Sequence, residues 1–494
     1  MIKSKEFINK FTVLRGAPKE LWVVYFQKVL EVVAYGLMTS VLILFLQKDI
    51  NLGDKSAGFY FATWSLLASL FTILVGPLTD FIGIKKTFVI GFLLCIFSRG
   101  IMSFVTNPIL VSILGFLPLA AGHAMMIPVM TAAVRELSTP KQRSMAFSGF
   151  YWLMNVGFLI SGPIVDYVRD PKVVGDNGKF PLPLFNIELS AYQLLFFLSF
   201  VFTIPGYIAV TFFMREGIRV DEFGNVLIKE CKNVETKNNI FLRVYEAFKK
   251  ATTTTYSTFK ELVKYKSFWR FMLFISLLVG VKLTFYHMHV TFPPYLVRTL
   301  GEGAKFGTVW GFLNPLLILI LVPIIGATTQ KVSVYKMILI GTSFSGFSIF
   351  LLAIPFSLYE PLVPTFIGKI IWSVWLGFPP ETSKIVLASY IGITVFVILF
   401  SIGEALWSPK LYEYVAEIAP EGKTASYMSL SILPFFVAKF IAGGMSGILL
   451  DLWCPSVGDK SSAYIIWIII GCIAISCPMG LLLLKNIIRK KDVT

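Results

Sequence analysis

Long apolar runs alternate with short polar connections along almost the whole chain. A helix that crosses the hydrocarbon of a bilayer needs roughly 20 mostly apolar residues. The runs that meet this requirement are Leu21–Gln47, Ala57–Pro77, Lys86–Thr106, Ile109–Val134, Gln142–Val168, Ala191–Met214, Ser267–Val297, Lys305–Gln330, Val334–Phe356, Ser389–Ile418, Thr424–Leu452 and Ser462–Leu484. The pattern therefore predicts an all-α membrane protein with twelve transmembrane helices.

Lysine and arginine are distributed unevenly between the connections. They concentrate at both termini and in the connections that follow even-numbered runs. Because such residues are retained on the cytoplasmic side of a membrane, both termini are predicted to be cytoplasmic. A basic N-terminus followed by a long apolar run without a small-residue cleavage site indicates a retained first helix.

The composition supports a membrane protein, since 56% of the residues are hydrophobic and only 15% are charged. The net charge of +16 resides mainly in short connections, where it meets lipid headgroups, so we expect no nucleic acid partner. The five cysteines are scattered without metal-ligand spacing, and no phosphate-binding loop is present. We therefore expect no metal, cofactor or disulfide, no enzymatic activity, and a monomer in a cell membrane.

The chain divides into two halves of six spans. Residues 1–214 and 267–494 are predicted to form two bundles, joined by a cytoplasmic linker, 215–266, with an amphipathic helix around 240–250. The stretch 357–388 is long enough for a thirteenth span. A thirteenth span would move the basic C-terminus outside, so an interfacial helix or lid on the outer face is preferred.

The two halves repeat short patterns. The segment Pro140–Phe147, after the fourth span, matches Pro420–Tyr427 after the tenth in its proline, base, hydroxyl and aromatic residues. The following helices end in Gly162-Pro-Ile-Val-Asp166 and Gly447-Ile-Leu-Leu-Asp451. Parallel six-helix repeats are typical of transporters whose solute site lies near the membrane midplane.

One motif stands between the second and third spans. The stretch Gly76-Pro-Leu-Thr-Asp80-Phe-Ile-Gly83-Ile-Lys85-Lys86 resembles the GxxxDxxGxxK signature of the major facilitator superfamily. This resemblance implies a secondary transporter that works by alternating access. The glycines allow a tight turn, while Asp80 and the lysines suit a breakable charge lock at the cytoplasmic face.

Three further stretches look like the proton-coupled oligopeptide transporter family. They are the run from Pro18 to Met38, Phe150-Tyr-Trp-Leu-Met-Asn155-Val-Gly157, and Gly403-Glu404-Ala-Leu-Trp-Ser408-Pro409. The family's tenth-span glutamate meets the amino group of the substrate, and the resemblance carries this role to Glu404. The substrate class implied is short peptides or amino-acid derivatives.

The chain departs from that family in two charged positions. Where the family's first helix has ExxERFxYY, this chain reads Lys28-Val-Leu-Glu31-Val32-Val33-Ala-Tyr35-Gly36, so the first acid and the arginine are lost. The family's fourth-helix lysine–proline pair is here Ile127-Pro128. The lost arginine and lysine are departures from the family pattern that concern peptide recognition and the family's usual proton coupling.

Ionic side chains inside the apolar runs are the strongest site candidates. They are Lys28, Glu31, Arg99, Lys282, Glu404 and Lys439. Each costs about 3 kcal/mol at the centre of a membrane, so they are predicted to face the protein interior or a water-filled cavity. Arg99 and Lys439 lie on the third and eleventh spans and are expected to be structural.

Spacing groups some of these residues on shared helix faces. Lys28, Glu31 and Tyr35 follow i, i+3 and i+7 on the first helix, which fits either a structural ion pair or a substrate and proton site. On the seventh helix Lys282 is the preferred cavity residue. Asn155, on the fifth helix, fits helix packing and is a weaker candidate for solute contact.

The repeat also relates His123 to Glu404. Gly122-His123-Ala-Met-Met-Ile-Pro128 has the same glycine-to-proline spacing as the stretch that contains Glu404. Histidine titrates near physiological pH, so His123, Glu31 and Glu404 form a candidate proton-coupling set. A packed histidine bonded to a helix carbonyl is the alternative for His123.

These residues favour a proton-coupled transporter of small polar solutes with an amino group. In this hypothesis Glu404 meets the cationic end of the solute, and Lys28 or Lys282 meets the anionic end. Two alternatives stay open, namely an organic-anion carrier of the same fold and a receptor on a transporter scaffold.

Overall fold

The computed structural model describes residues 13–175, 178–182, 186–228, 262–329, 331–418 and 433–488, together with positions 249, 253 and 260. Long helices run through this part of the chain. They are α1 (Lys19–Thr39), α2 (Asp54–Ile82), α3 (Ile84–Phe104), α4 (Pro108–Glu136), α5 (Pro140–Val168), α6 (Ala191–Phe213), α7 (Lys266–Val290), α8 (Gly307–Thr328), α9 (Val334–Leu352), α10 (Lys384–Ile418), α11 (Leu433–Trp453) and α12 (Tyr464–Leu483).

The lengths and composition of these helices fit a membrane. Counted over the described residues, 11 helices are long and apolar enough to cross a bilayer. The exception is α2, which has 29 residues and, at 1.5 Å per residue, a length of about 43 Å. It contains the run predicted as the second span. The all-α membrane fold is thus confirmed, whereas the orientation of the termini stays a prediction.

Local sequence explains several helix boundaries. Gly83 separates α2 from α3 with a φ of 92°, a conformation that glycine adopts without strain. Asn107 caps α4 by accepting the N–H groups of Ile109 and Leu110. Ser190 and Gln193 form a capping box at the start of α6.

Shorter elements fill the connections. Helices Leu42–Lys48 and Phe292–Leu300 extend α1 and α7, and strand β1 (Lys179–Leu182) pairs with β2 (Ile187–Ser190). Between α9 and α10, the chain forms the 3-10 helix Phe356–Leu362, helix Phe366–Lys369 and the π turn Ile370–Trp375. The apolar helix here, Phe366–Trp375, is too short to span a bilayer.

The start of the expected linker is a β-hairpin. Strand β3 (Ile218–Val220) pairs antiparallel with β4 (Val226–Ile228), and Arg219 faces Leu227 in the register. Most of the region predicted to hold an amphipathic helix, around 240–250, lies outside the described residues.

Contacts divide the chain into two compact units. The first unit comprises Met1–Met38, Leu67–Ser161 and Pro181–Ser257, and the second comprises Thr39–Leu66, Gly162–Phe180 and Thr258–Thr494. In the first unit, α3 packs against α6 and α4, and in the second, α9 packs against α10 and α12. The six-span bundles 1–214 and 267–494 stay a prediction, because this division runs through α1, α2 and α5.

Candidate functional site

A buried ion pair lies at the centre of the polar site in the first unit. Arg99 on α3 donates to both carboxylate oxygens of Glu31 on α1, with N···O distances of 2.9 and 3.1 Å. The side chains are 0% and 4% exposed. Arg99 also donates to the hydroxyl of Thr203 at 2.5 Å, and this hydroxyl in turn donates to the carbonyl of Ser199. The pair therefore joins α1, α3 and α6.

His123 on α4 lies beside this pair. Its Nδ1 is 3.9 Å from Oε1 of Glu31, so a protonated imidazole adds a second cation to the carboxylate. The imidazole stacks on the ring of Tyr35, with 4.6 Å between ring centroids and an interplanar angle of 8°. Tyr35 also contacts Phe158 edge to face. Aromatic packing thus orients the histidine toward the carboxylate.

Lys28 and Asn155 are placed differently. The Lys28 ammonium lies 4.4 Å from the centroid of the Phe150 ring, and it forms no ion pair with the residues that the structure describes. Asn155 uses its Nδ2 to donate to the carbonyl of Tyr151, one turn earlier on α5. The Lys28 ammonium is thus buried against an aromatic ring, while the amide donor of Asn155 is engaged within its own helix.

The second unit contains Glu404, the carboxylate that the internal repeat relates to His123. Oε2 of Glu404 on α10 accepts a hydrogen bond of 2.9 Å from Asn314 on α8. The same amide donates to the hydroxyl of Ser401 at 2.9 Å. The preceding residue, Gly403, lies so close to α9 that a Cβ would overlap Ser345. Glycine at this position thus lets α9 and α10 pack closely beside the carboxylate.

An aromatic group surrounds Lys282 on α7. The ammonium lies 4.8 Å from the Phe285 ring centroid, 5.4 Å from Trp407 and 5.9 Å from Phe435. It also interacts electrostatically with Glu404. Aromatic faces stabilise a cation that has lost water, so the protein can hold this charge at low hydration.

The loop with the family motif is described only in part. The side chain of Asp80 lies outside the described residues. Lys85 and Lys86, in the first turn of α3, interact electrostatically with Glu216, which follows α6. Nearby, Arg215 pairs with Glu20 at 2.6 Å and Arg219 pairs with Glu136 at 2.9 Å. Charged contacts therefore connect Arg215 to α1, Glu216 to α3 and Arg219, within β3, to α4.

Two glycine crossings occur within the second unit, and the internal repeat relates them. At the first, the end of α5 meets the start of α8, where a Cβ on Gly307 would overlap the carbonyl of Gly162. At the second, the end of α11 meets the start of α2, where a Cβ on Gly447 would overlap the carbonyl of Asp54. Both crossings bring helix backbones into contact, which only glycine permits.

Charged residues reinforce these crossings. Asp166 accepts the N–H groups of Gly307 and Thr308, at 2.9 and 2.5 Å, at the start of α8, where the helix dipole favours an anion. Asp451, its partner in the repeat, pairs with Lys55 at 2.8 Å in the first turn of α2.

A bidentate ion pair completes this region. Arg298 donates to both carboxylate oxygens of Asp54, at 2.5 and 2.9 Å. The same guanidinium donates to the carbonyl of Cys454. We call the two crossings with Asp54, Asp166, Arg298 and Asp451 the glycine gate.

The sequence pattern does not select every residue of these sites. Asn314, Ser401 and Thr203 are absent from the sequence-based candidates, and the structural role predicted for Arg99 stays a prediction. Asn314 is a polar residue within an apolar run, which is a usable signal. The partners of Arg99 and Arg298 come from helices distant in sequence, and nothing in the pattern indicates those contacts.

Apolar helices of spanning length, ion pairs inside them and glycine-based helix crossings are features of a multi-pass membrane protein. The family model for the Major Facilitator Superfamily matches residues 24–380. The chain belongs to the major facilitator superfamily. No curated protein sequence matches it.

Solved structures of similar fold include transporters of the POT family. One, a POT family transporter in complex with 5-aminolevulinic acid, is 18% identical, and the alignment covers 96% of this chain and 97% of that one with a TM-score of 0.65. A second, in complex with a thioalcohol conjugated peptide, is 18% identical over 97% and 100% with a TM-score of 0.65. A third comes from work on substrate recognition in proton dependent oligopeptide transporters, at 15% identity over 95% and 98% with a TM-score of 0.65.

Proposed function

We propose that this protein is a proton-coupled secondary transporter of small peptide-like or amino-acid-derived solutes, and that it acts as a monomer in a cell membrane. The observation that carries this proposal is Glu404, a carboxylate that is 9% exposed and held by Asn314 beside the Lys282 ammonium. A carboxylate and an ammonium so placed provide one partner for each charged end of a zwitterion. The solved structures of similar fold include a POT family transporter bound to a thioalcohol conjugated peptide and a structure from work on proton dependent oligopeptide transporters, which supports the same solute class.

In this mechanism Glu404 binds the amino group of the solute. Asn314 orients the carboxylate by donating to one oxygen, which leaves the other oxygen for the solute or a proton. Lys282 is the candidate for the anionic end, because its ammonium has no ion-pair partner within 4 Å among the described residues.

In this proposal the cluster of Glu31, Arg99 and His123 contains the side chain that accepts the coupled proton. Arg99 already balances the charge of Glu31 through two hydrogen bonds, so a proton entering this site is best accepted by His123. The first helix lacks the arginine of the peptide transporter motif, and in this chain Arg99 on α3 provides the guanidinium that pairs with Glu31. Tyr35 holds the imidazole in stacking contact during this exchange.

Alternating access requires a closed and an open state at each membrane face. We propose that the glycine gate closes the face opposite the termini, and that Lys85, Lys86, Asp80 and the Glu216 segment control the cytoplasmic face. The ion pairs of the glycine gate are exchangeable contacts, which suits a structure that must separate in each transport cycle.

The test uses the purified full chain in proteoliposomes with an inward proton gradient and a labelled neutral dipeptide. Glu404→Gln should reduce gradient-driven uptake at least about tenfold, since loss of one buried charge-assisted contact costs about 1.5–3 kcal/mol. Glu381→Gln, an exposed acid before α10, is the matched control and should transport normally.

Competition identifies the solute group that Glu404 meets. An excess of unlabelled dipeptide should inhibit uptake, and the same dipeptide acetylated at its amino group should not. Normal uptake by the Glu404→Gln variant, or inhibition by acidic metabolites alone, would overturn the proposal.

A further inference from the structure

The segment between α9 and α10 presents an exposed apolar face. Phe366, Ile367 and Val374 are 79%, 69% and 78% exposed. Large apolar side chains exposed to this degree are unfavourable in water and typical of a membrane contact. The segment precedes α10, a helix of spanning length that begins at Lys384, and lies beside the start of that helix.

A cavity of about 800 Å³ lies between this segment and the start of α10. Its walls include Glu360, Lys369, Trp372 and Lys384. Binding sites for small molecules have volumes of about 300–1,000 Å³, so the cavity is large enough for a ligand. Trp372 donates its indole N–H to the carbonyl of Val363 at 3.0 Å, which holds one wall in place.

The cavity contains two cationic groups and one anionic group. Among the residues that the structure describes, the side chains of Lys369, Lys384 and Glu360 form no ion pair. Lys369 and Lys384 are exposed, whereas Glu360 is half-buried. Two ammonium groups and one carboxylate are complementary to a ligand with an anionic centre of more than one oxygen and a separate ammonium group.

We propose that this cavity binds the headgroup of an aminophospholipid, with the phosphate between Lys369 and Lys384 and the primary ammonium at Glu360. The acyl chains stay in the bilayer that Phe366 and Val374 contact. A primary ammonium donates hydrogen bonds to a carboxylate, and a quaternary ammonium has none to donate. The site therefore distinguishes ethanolamine headgroups from choline headgroups.

The test measures lipid binding to the delipidated full chain in detergent by native mass spectrometry. The probes are phosphatidylethanolamine and phosphatidylcholine with identical acyl chains. The wild type should retain one phosphatidylethanolamine with an affinity at least about tenfold above that for phosphatidylcholine, as expected for a charge-assisted contact.

Variants separate the two parts of the site. Lys369→Gln/Lys384→Gln should weaken binding of both lipids at least about tenfold, since both lose the phosphate contact. Glu360→Gln should lower phosphatidylethanolamine to the affinity of phosphatidylcholine and leave phosphatidylcholine unchanged. Lys336→Gln, an exposed lysine on α9, is the matched control and should bind both lipids like the wild type.

A soluble competitor distinguishes a lipid from a free solute of the same chemistry. Free phosphoethanolamine should displace the lipid only at far higher concentration, because it gains no contact from acyl chains. The proposal is overturned if phosphoethanolamine binds as tightly as the lipid, if both lipids bind equally, or if the Lys369→Gln/Lys384→Gln variant binds like Lys336→Gln.

Discussion

Arg99→Met removes the guanidinium group that balances the Glu31 carboxylate inside the first unit. The two side chains are 0% and 4% exposed and are joined by contacts of 2.9 and 3.1 Å. Loss of one partner of such a pair leaves an uncompensated buried charge, which costs about 3–5 kcal/mol. His123 compensates little, since its Nδ1 lies 3.9 Å from the carboxylate and is charged only when protonated. We therefore expect Arg99→Met to lower the free energy of unfolding by about 3–5 kcal/mol.

A second substitution in the same chain tests the physical reason. Glu31→Gln removes the uncompensated charge that Arg99→Met leaves behind. Replacement of both members of a buried ion pair by well-packed hydrophobic residues is often nearly neutral, and a neutral amide costs less to bury than an unpaired carboxylate. The Glu31→Gln/Arg99→Met double variant should therefore regain most of the stability that the Arg99→Met variant loses.

The assay is denaturant unfolding in mild detergent, followed by tryptophan fluorescence, for the wild type, both single variants and the double variant. Arg219→Met is the matched control, because its ion pair with Glu136 is 49% and 30% exposed. A surface pair contributes about 0–1 kcal/mol, so this control should unfold close to the wild type. If Arg99→Met is as stable as Arg219→Met, or the double variant is as unstable as Arg99→Met, then Arg99 does not stabilise the protein by compensating the buried charge of Glu31.

Three further predictions concern other parts of the molecule. Gly447→Ala should destabilise the protein by about 1–3 kcal/mol, because the added Cβ overlaps the Asp54 carbonyl. Gly444→Ala is the control and should not destabilise it, since its Cβ would meet only the Phe59 ring at 3.7 Å. Thermal unfolding of the two variants tests this. Asn314→Leu should reduce gradient-driven uptake less than Glu404→Gln, because the carboxylate remains and loses only its orienting amide; equal losses in the proteoliposome assay would contradict this. Burial raises the pKa of the Glu216 carboxyl above its usual range, although the charges of Lys86 and Lys85 lower it. The protonated form therefore contributes stability that is fully present below pH 4.5, the ordinary pKa, and is lost as pH rises through the pKa of the folded state. Glu216→Gln should remove this part of the pH dependence, and an unchanged profile of unfolding temperature between pH 4 and 7 would show that Glu216 does not contribute.

The sequence pattern identifies site candidates wherever the free-energy cost of burial belongs to a single residue. Burial of an ion in hydrocarbon is expensive whichever residue balances it, so Lys28, Glu31, Lys282 and Glu404 can be selected without knowledge of their partners. The transmembrane helices can also be predicted from the sequence, because the length of an apolar run is a local property of the chain.

The two repeated segments end in aspartates whose contacts cannot be predicted from the sequence. Asp166 and Asp451 end matching segments, and each meets the first turn of another long helix in the second unit. The sequence relates the two aspartates by position. Only the folded backbone shows that one accepts N–H groups at a helix start and the other pairs with a lysine.

The membrane class, the helix pattern and the list of ionic residues that need an interior environment follow from the amino-acid sequence alone. The folded structure is needed to see which charges are balanced: Arg99 balances Glu31, while Lys282 lies among aromatic rings near Glu404. This is because the cost of burying a charge belongs to a single residue, whereas its compensation depends on side chains that reach it from other helices. Those contacts follow from helix packing, which no local pattern of residues specifies.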